Sequence, residues 1–349
     1  MDKTRDKVFR RKVMFSDSVT RIPKVYENGR KDGPRPRSRS VFTSSHASDE
    51  MPPRDIMRYE GQSSRPPYVP KPITVKNYFS EDFNDIYADD GYTGGTTISP
   101  HGIITMRLRD FIRVDLSLDR SIRISNTKNG IVLALSASGS SSGLIHPNGR
   151  MYQYGSRVEI MANDSQGNDK FAKMWYKGVS FTSIQCALVY LVDSAGTRTT
   201  TDSFNDLTHD FTMNIFYEDS PYSYIDNPST TATTHLVNEA MAILQATNCW
   251  MTEDGTTNWI INNVRISQTA DGLVRVGRNS NKFSLRTSPT NGSASVSSPY
   301  IHCTGSMGQT RHLFVRRGER RMHYDGSTFI VRNAGHSAGF DEKHQLKVY

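Results

Sequence analysis

The stretch Ile104-Thr-Met-Arg-Leu-Arg-Asp-Phe-Ile-Arg-Val-Asp-Leu-Ser-Leu-Asp-Arg-Ser-Ile-Arg-Ile124 decides the fold class. Ile104, Met106, Leu108, Ile112, Val114, Leu116, Leu118, Ile122 and Ile124 hold even positions, while Arg107, Arg109, Arg113, Asp115, Ser117, Asp119 and Arg123 hold odd ones. Alternation over that distance predicts antiparallel sheet with one apolar and one wet face, broken near Asp119-Arg120. Asp110 falls on the wrong face with Phe111 opposite, which predicts a bulge or bend between them.

Downstream, Asn129-Gly130, Asn148-Gly149, Asp254-Gly255, Asp271-Gly272 and Asp325-Gly326 recur between apolar or alternating runs such as Ile131–Leu135, Leu273–Val276 and Thr328–Val331. Asn-Gly and Asp-Gly pairs tolerate the positive φ of two-residue hairpins, so these are expected hairpin turns. One stretch has helical period: Leu236, Val237, Ala240, Met241, Ile243 and Leu244 share a face of residues 234–247, with Thr233 or Thr234 placed to cap it. The expected fold is mainly β, with antiparallel sheets forming a sandwich or a meander of hairpins, one helix near 234–247 and a disordered basic N-terminal arm. The expected division is an arm over 1–72, an acidic Gly/Thr-containing linker over 73–100, a β-rich domain over 101–220, and the helix plus a second β-rich region over 221–349. The Pro- and Ser/Thr-rich run 220–232 marks the boundary between the two β-rich parts.

The arm is read from charge and composition. Residues 1–70 hold 16 of the 43 Lys and Arg but nine of the 35 Asp and Glu, so they carry +7 of the formal +8. Nine prolines and several serine runs fall in the first 72 residues, a composition too poor in apolar side chains to offset chain entropy. Such a polyelectrolyte is attracted to an acidic partner with salt-sensitive affinity. Arg10, Arg11, Lys12, Arg35, Arg37 and Arg39 are its candidate contacts. Ser38 and Ser40 sit among arginines as candidate phosphorylation sites, where added phosphate would cancel local charge. Arg65-Pro-Pro-Tyr-Val-Pro-Lys-Pro72 contains a P-x-x-P and favours polyproline II, as a ligand segment or a semi-rigid spacer. An acidic run follows at Glu81, Asp82, Asp85, Asp89 and Asp90.

No stretch approaches the ~18 apolar residues of a membrane span, and Met-Asp-Lys-Thr-Arg-Asp-Lys7 is charged where a signal peptide is apolar. Cys186, Cys249 and Cys303 lie far apart without Cys-x-x-Cys, which points away from a disulfide framework or zinc ribbon and toward a reducing compartment. Catalytic spacings are scarce. Gly139-Ser-Ser-Ser-Gly143 satisfies G-x-S-x-G only in letters, since no strand-to-helix elbow is predicted there. Asn163-Asp-Ser-Gln-Gly-Asn-Asp169 has calcium-loop composition but not the alternating ligands, and reads as a hairpin turn. His302 and Cys303, as neighbours on a strand, point to opposite faces and do not pair. Phe171-Ala-Lys-Met-Trp-Tyr-Lys-Gly178 interleaves aromatics with lysines as single-strand nucleic-acid platforms do, yet its alternation fits an ordinary strand. Neither a metal nor a cofactor is expected. Arg311, Arg316, Arg317, Arg320 and Arg321 form a basic cluster inside the fold, either a docking face for an acidic partner or an edge kept from aggregating by charge.

Leu144-Ile-His-Pro-Asn-Gly-Arg-Met-Tyr-Gln-Tyr154 and Arg321-Met-His-Tyr-Asp-Gly-Ser-Thr-Phe-Ile-Val331 share a strand–turn–strand shape, and in the first a basic and an aromatic residue, Arg150 and Tyr152, follow the turn. They resemble hairpins in β-rich regions of sperm-associated antigen 17-type proteins of the ciliary central apparatus. The resemblance implies a structural component of motile axonemes, without chemistry of its own and without catalytic residues to carry over.

The expected function is therefore a non-enzymatic structural or scaffold protein of the cytoskeleton, in a cilium or sperm flagellum, whose basic arm contacts an acidic, tubulin-type filament or other axonemal proteins. The alternative is a viral-type coat protein, with an arm that neutralises RNA and a β-sandwich shell. An enzyme built on a β-sandwich, with a site no linear motif reveals, is the third reading.

Overall fold

The computed structural model describes residues 95–220 and 230–349, and over them the fold is mainly β. The first twelve strands are β1 Thr96–Ile98, β2 Ile104–Leu108, β3 Ile112–Leu116, β4 Ile122–Asn126, β5 Ile131–Leu135, β6 Ser141–His146, β7 Gly149–Tyr154, β8 Arg157–Ala162, β9 Lys170–Trp175, β10 Gly178–Ser183, β11 Val189–Asp193 and β12 Gly196–Thr200. Helices α1 (Thr212–Tyr217) and α2 (Thr230–Gln245) come next. The second twelve are β13 Asn248–Met251, β14 Thr257–Ile261, β15 Val264–Gln268, β16 Val274–Arg278, β17 Phe283–Thr287, β18 Ala294–Ser297, β19 His302–Ser306, β20 His312–Arg317, β21 Arg320–Tyr324, β22 Phe329–Asn333, β23 His336–Phe340 and β24 Leu346–Val348. Each dozen forms one sheet in which every strand pairs antiparallel with its neighbours in sequence.

Period two decides which face of each meander is buried. Ile104, Val114, Ile124, Leu133, Leu144, Met151, Ile160, Met174, Val179 and Val192 face inward from the first sheet. Val264, Val276, Leu285, Val296, Cys303, Val315, Met322, Val331 and Ala338 face inward from the second, all in one shared core. The sheets stack with equivalent strands in contact: β5 with β17, β6 with β18, β10 with β22 and β11 with β23. Phe340 of β23 meets Phe181 of β10 edge-on, with ring centroids 5.5 Å apart. Gly139 is needed where it stands, because a Cβ there would lie 2.2 Å from the Phe283 ring.

To stack in the same order, the chain must return from β12 to the β1 side before β13 begins. Residues 201–220 make that return as a strap across the outside of the first sheet. Ser180 of β10 hydrogen-bonds Asp202, and the Lys173 ammonium of β9 donates to the Ser203 carbonyl at 2.5 Å. The Asn205 amide donates to Glu159 of β8 at 2.7 Å, and Arg150 of β7 donates to the Leu207 carbonyl at 2.7 Å. Arg123 of β4 pairs with Asp210 at 3.0 Å. Leu207, Phe211 and Ile215 form a second apolar cluster over Ala134 and Met161, with Phe211 stacked on Tyr152 at 5.0 Å. The outer face of β2–β4, expected to be wet, is thus partly roofed, and Asp115 is only 4% exposed.

Local details refine the expectations. Asp110 and Phe111 both take positive φ (61° and 60°) and turn β2 into β3, so the out-of-phase pair is a hairpin rather than a bulge. Most Asn-Gly and Asp-Gly pairs do not form two-residue turns. Asp254-Gly255 and Asp271-Gly272 occupy positions three and four of five-residue loops, in which the fourth residue is left-handed and donates back to the first, as Gly255 does to Thr252 and Gly272 to Thr269. Ser117–Ser121 has the same geometry with Arg120 at φ 71°. At Asn148-Gly149 the turn is Pro147-Asn148, and Gly149 already belongs to β7. Two-residue turns with both residues left-handed occur instead at Asn262-Asn263 and Ala334-Gly335. Helix α2 starts at Thr230, so Thr233 and Thr234 lie inside it and do not cap it. The six-residue α1 is too short to show a period and was not anticipated.

Polar side chains lock the turns of one sheet to those of the other. Asn148 donates to the Ser306 and His312 carbonyls at 2.6 and 2.9 Å and accepts from Arg311 at 2.8 Å. Gln268 exchanges bonds with both backbone groups of Arg109, and the buried Arg278 donates to the Arg120 and Ser136 carbonyls. Replacing Asn148 by Ala leaves these partners without mates in a buried setting, a cost of about 2–3 kcal/mol. Thermal unfolding followed by circular dichroism should show Tm lowered by roughly 5–10 °C, and an unchanged Tm would mean that water replaces these bonds.

Candidate docking face on the second sheet

Register brings together what sequence separates. On the outer face of the second sheet one row runs Asn248, Ile260, Arg265, Gly277, Ser284, Ser297, His302, Arg316, Arg321, Arg332 and Ser337, each the direct partner of the next. The adjacent row crosses all twelve strands: Trp250, Asn258, Ser267, Arg275, Arg286, Ser295, Thr304, Phe314, His323, Ile330, Gly339 and Lys347. At the usual 4.7–4.9 Å between strands these rows are about 50 Å long. The two rows carry six arginines and one lysine, all exposed, and no carboxylate.

The arginines lack counter-ions. Lys347 pairs with Asp341 at 3.4 Å, but none of Arg265, Arg275, Arg286, Arg316, Arg321 or Arg332 forms an ion pair with a described residue. Arg275 stands directly opposite Arg286, and Arg316, Arg321 and Arg332 follow one another on three adjacent strands. Like charges in direct cross-strand pairs destabilise a sheet, so folding alone does not account for this pattern. The first sheet shows the contrast. There Arg113 and Arg123 reach Asp115, Arg123 reaches Asp210, and Arg198 reaches Asp193. The strap that roofs that sheet brings Asp202, Asp206, Asp210, Glu218 and Asp219.

The basic cluster expected from sequence divides between two settings. Arg316 and Arg321 project from the outer face. Arg317 and Arg320, one step along the same hairpin, reach the first sheet instead, donating to the Gly155 and Tyr176 carbonyls at 3.1 and 3.4 Å. Arg311 is held by Asn148 between the sheets. Arg265, Arg275, Arg286 and Arg332 were missed because they lie far from that cluster in sequence. Their signal is an arginine beside an inward apolar residue in each strand, as in Val264-Arg265, Val274-Arg275, Leu285-Arg286 and Val331-Arg332. The arm residues Arg10, Arg11, Lys12, Arg35, Arg37 and Arg39, with Ser38, Ser40, the P-x-x-P segment and the acidic run 81–90, lie outside the described residues.

The weaker chemical motifs have structural employment. Ser140–Ser142 lead into β6, where Ser142 donates to Gln153 at 2.8 Å. In the loop 163–169, Asp164 is bound to the buried ammonium of Lys170. Burial alone would raise its pKa, but the Lys170 hydrogen bond, the Gln166 backbone N–H and the Lys170 charge together outweigh that and hold the carboxyl below the usual range. Cys303 is buried in the core, where burial pushes its thiol up, while His302 faces outward and bonds Ser297 at 2.8 Å. The 171–178 stretch is β9 and its turn, with Lys173 directed at the strap. Among the described residues, no group of three or more His, Cys, Asp or Glu side chains is placed to hold a metal ion, and no helix is long and apolar enough to cross a membrane.

The chain belongs to the family described as Domain of unknown function (DUF8796), whose model matches residues 96–346. No curated protein matches it. Among solved structures, it is similar to the TCP10 domain of Danio rerio CPAP in complex with a peptide of Danio rerio STIL, at 9% identity over 70% of this chain and 96% of that chain, with a TM-score of 0.23. It is also similar to the TCP domain of Drosophila melanogaster SAS-4 (dCPAP) in complex with a Proline Rich Motif of Ana2 (dSTIL), at 10% identity over 61% of this chain and 89% of that chain, with a TM-score of 0.17.

His302 and His323 extend the basic face conditionally. Burial, then Arg316, lowers the pKa of His302; burial lowers that of His323 against the opposing pull of Asp325, with His312 and Arg332 adding to the fall. Both are therefore neutral at pH 7 and gain charge only below the ordinary histidine value of about 6.5. Affinity for an immobilised polyglutamate surface should be flat from pH 7 to 9 and rise only at pH below the ordinary histidine value of about 6.5. A rise between pH 8 and 7 would assign the titration to other groups.

Proposed function

We propose that this chain is a non-enzymatic scaffold protein of the cytoskeleton that lays the outer face of its second sheet against an acidic, tubulin-type filament. The cellular setting of the proposal is a cilium or flagellum axoneme, in line with the hairpin resemblance. The observation that carries it is a pair of rows about 50 Å long, free of carboxylates, whose six exposed arginines form no ion pair with a described residue. The other outer face of the same sandwich is covered by an acidic segment of the chain itself. A partner that supplies acids to the bare face would repeat in trans what the strap does in cis, relieving the repulsion between Arg275 and Arg286 and among Arg316, Arg321 and Arg332.

The shape favours a broad protein surface over a single nucleic-acid strand. The two aromatic side chains in its rows, Trp250 and Phe314, stand seven strands apart, too far to stack successive bases. The +7 arm, carried in residues 1–70, adds attraction at long range.

Cosedimentation with polymerised tubulin at low salt tests this. The triple variant Arg275→Glu, Arg286→Glu, Arg321→Glu should lower binding at least tenfold, and wild-type binding should weaken steeply as salt rises. Equal pelleting of wild type and variant would reject the face as the contact. Tighter binding of RNA than of the filament would replace this reading with the nucleic-acid coat. A tagged chain that leaves ciliated cells on mild detergent extraction would remove the axonemal setting.

A further inference from the structure

Beside the basic face, the β20–β21 hairpin also borders an open cleft of about 570 Å³ at one end of the sandwich, lined by Tyr176, Lys177, Tyr300, Arg317, Glu319 and Arg320 among others. Tyr176 and Lys177 form the β9–β10 turn of the first sheet. Tyr300 enters β19 of the second, so both layers build the cleft.

Its cations are poorly satisfied. Arg317 and Arg320 are direct cross-strand partners, so two guanidinium groups are held side by side. Neither forms an ion pair with a described residue; Glu319, in the turn between them, is exposed and unpaired. The Arg320 Nε–H is buried without an acceptor. Burial, then the charge of Arg320, lowers the pKa of Arg317, the direction expected where a cation lacks an anion. Next to this pair stand two open aromatic surfaces: Tyr176 is 74% exposed and Tyr300 52% exposed. Tyr176 is braced edge-on by Trp175 at 5.0 Å, and the Lys177 ammonium lies 4.7 Å from the Trp175 ring.

We propose that this cleft binds an extended acidic peptide of a partner protein, with a carboxylate on the Arg317–Arg320 pair and the peptide chain lying across Tyr176 and Tyr300. A carboxylate seated on the paired guanidinium groups offsets their two like charges. Exposed tyrosines give a peptide flat apolar contact at small entropic cost. The inference rests on the reading of the basic face, because Arg316 and Arg321 of the same hairpin lie on that face. One partner could rest its surface on the sheet and thread an acidic tail into the cleft.

Fluorescence anisotropy of the full chain with a labelled Glu-Gly repeat peptide tests the cleft apart from the face. The Gln-Gly counterpart and inorganic phosphate serve as controls. Arg317→Gln with Arg320→Gln should weaken the Glu peptide about tenfold or more. Tyr176→Ser with Tyr300→Ser, both exposed and so harmless to folding, should weaken it severalfold, while Arg275→Glu with Arg286→Glu, on a face that itself attracts glutamate, should weaken it clearly less than the Arg317 and Arg320 changes do. Equal binding by both cleft variants and wild type overturns the proposal, as does equal affinity for the Gln peptide. Competition by phosphate as strong as by unlabelled Glu peptide would make the cleft a phosphate site instead, and tighter binding of a single-stranded oligonucleotide would make it a nucleic-acid site. If the face variant fails to pellet with filaments but keeps peptide affinity, face and cleft are separable, and each stands on its own result.

Discussion

A twelve-stranded meander with apolar residues on one face cannot stand alone in water, and the burial of that face governs nearly everything else in this molecule. Two such meanders bury each other. The simplest way to cover one with the other would be to double back, laying β13 over β12. The chain instead places equivalent strands in contact, which obliges it to travel the full width of the first sheet before starting the second. The strap, its acidic residues and its apolar cluster on Ala134 and Met161 follow from that single requirement. So does the asymmetry of the product: the return covers one outer face and leaves the other bare.

That asymmetry ties architecture to function. Several charges on the first sheet find partners within the chain, as Arg123 does in Asp210, and the polar edges between the layers are closed by groups such as Asn148, Gln268 and Arg278. On the outer face of the second sheet, Arg275 meets Arg286, and Arg316, Arg321 and Arg332 follow one another in direct register, with no ion pair to a described residue. The molecule tolerates that repulsion because exposed pairs in water cost little, and the stability needed to carry it comes from the shared core.

The class of fold was legible in the sequence because period two is a local property, visible within Ile104–Ile124. Helix α2 was legible for the same reason, through Leu236, Ala240 and Leu244. What sequence could not show depends on distant pairing. The five-residue loops disguise their geometry, since Asp-Gly at positions three and four looks like a tight hairpin until the bond from Gly255 back to Thr252 is seen. The strap has neither period, because its side chains answer to a sheet surface that lies up to about 90 residues earlier. The basic face was half legible: Arg316 and Arg321 stand close together in sequence, whereas Arg265, Arg275, Arg286 and Arg332 join them only through ladder register.

Because every strand pairs with its sequence neighbours, the width of this protein is a count. One added hairpin in each sheet would lengthen the body by about 10 Å without altering its cross-section or the chemistry of its turns. The return segment sets the limit. An extended chain advances at most about 3.3–3.6 Å per residue, so a wider sandwich needs a proportionally longer strap to reach the starting edge. Strand number and strap length are therefore locked together, and members of the family that differ in one should differ in the other, in the manner of a ruler whose case must grow with its scale.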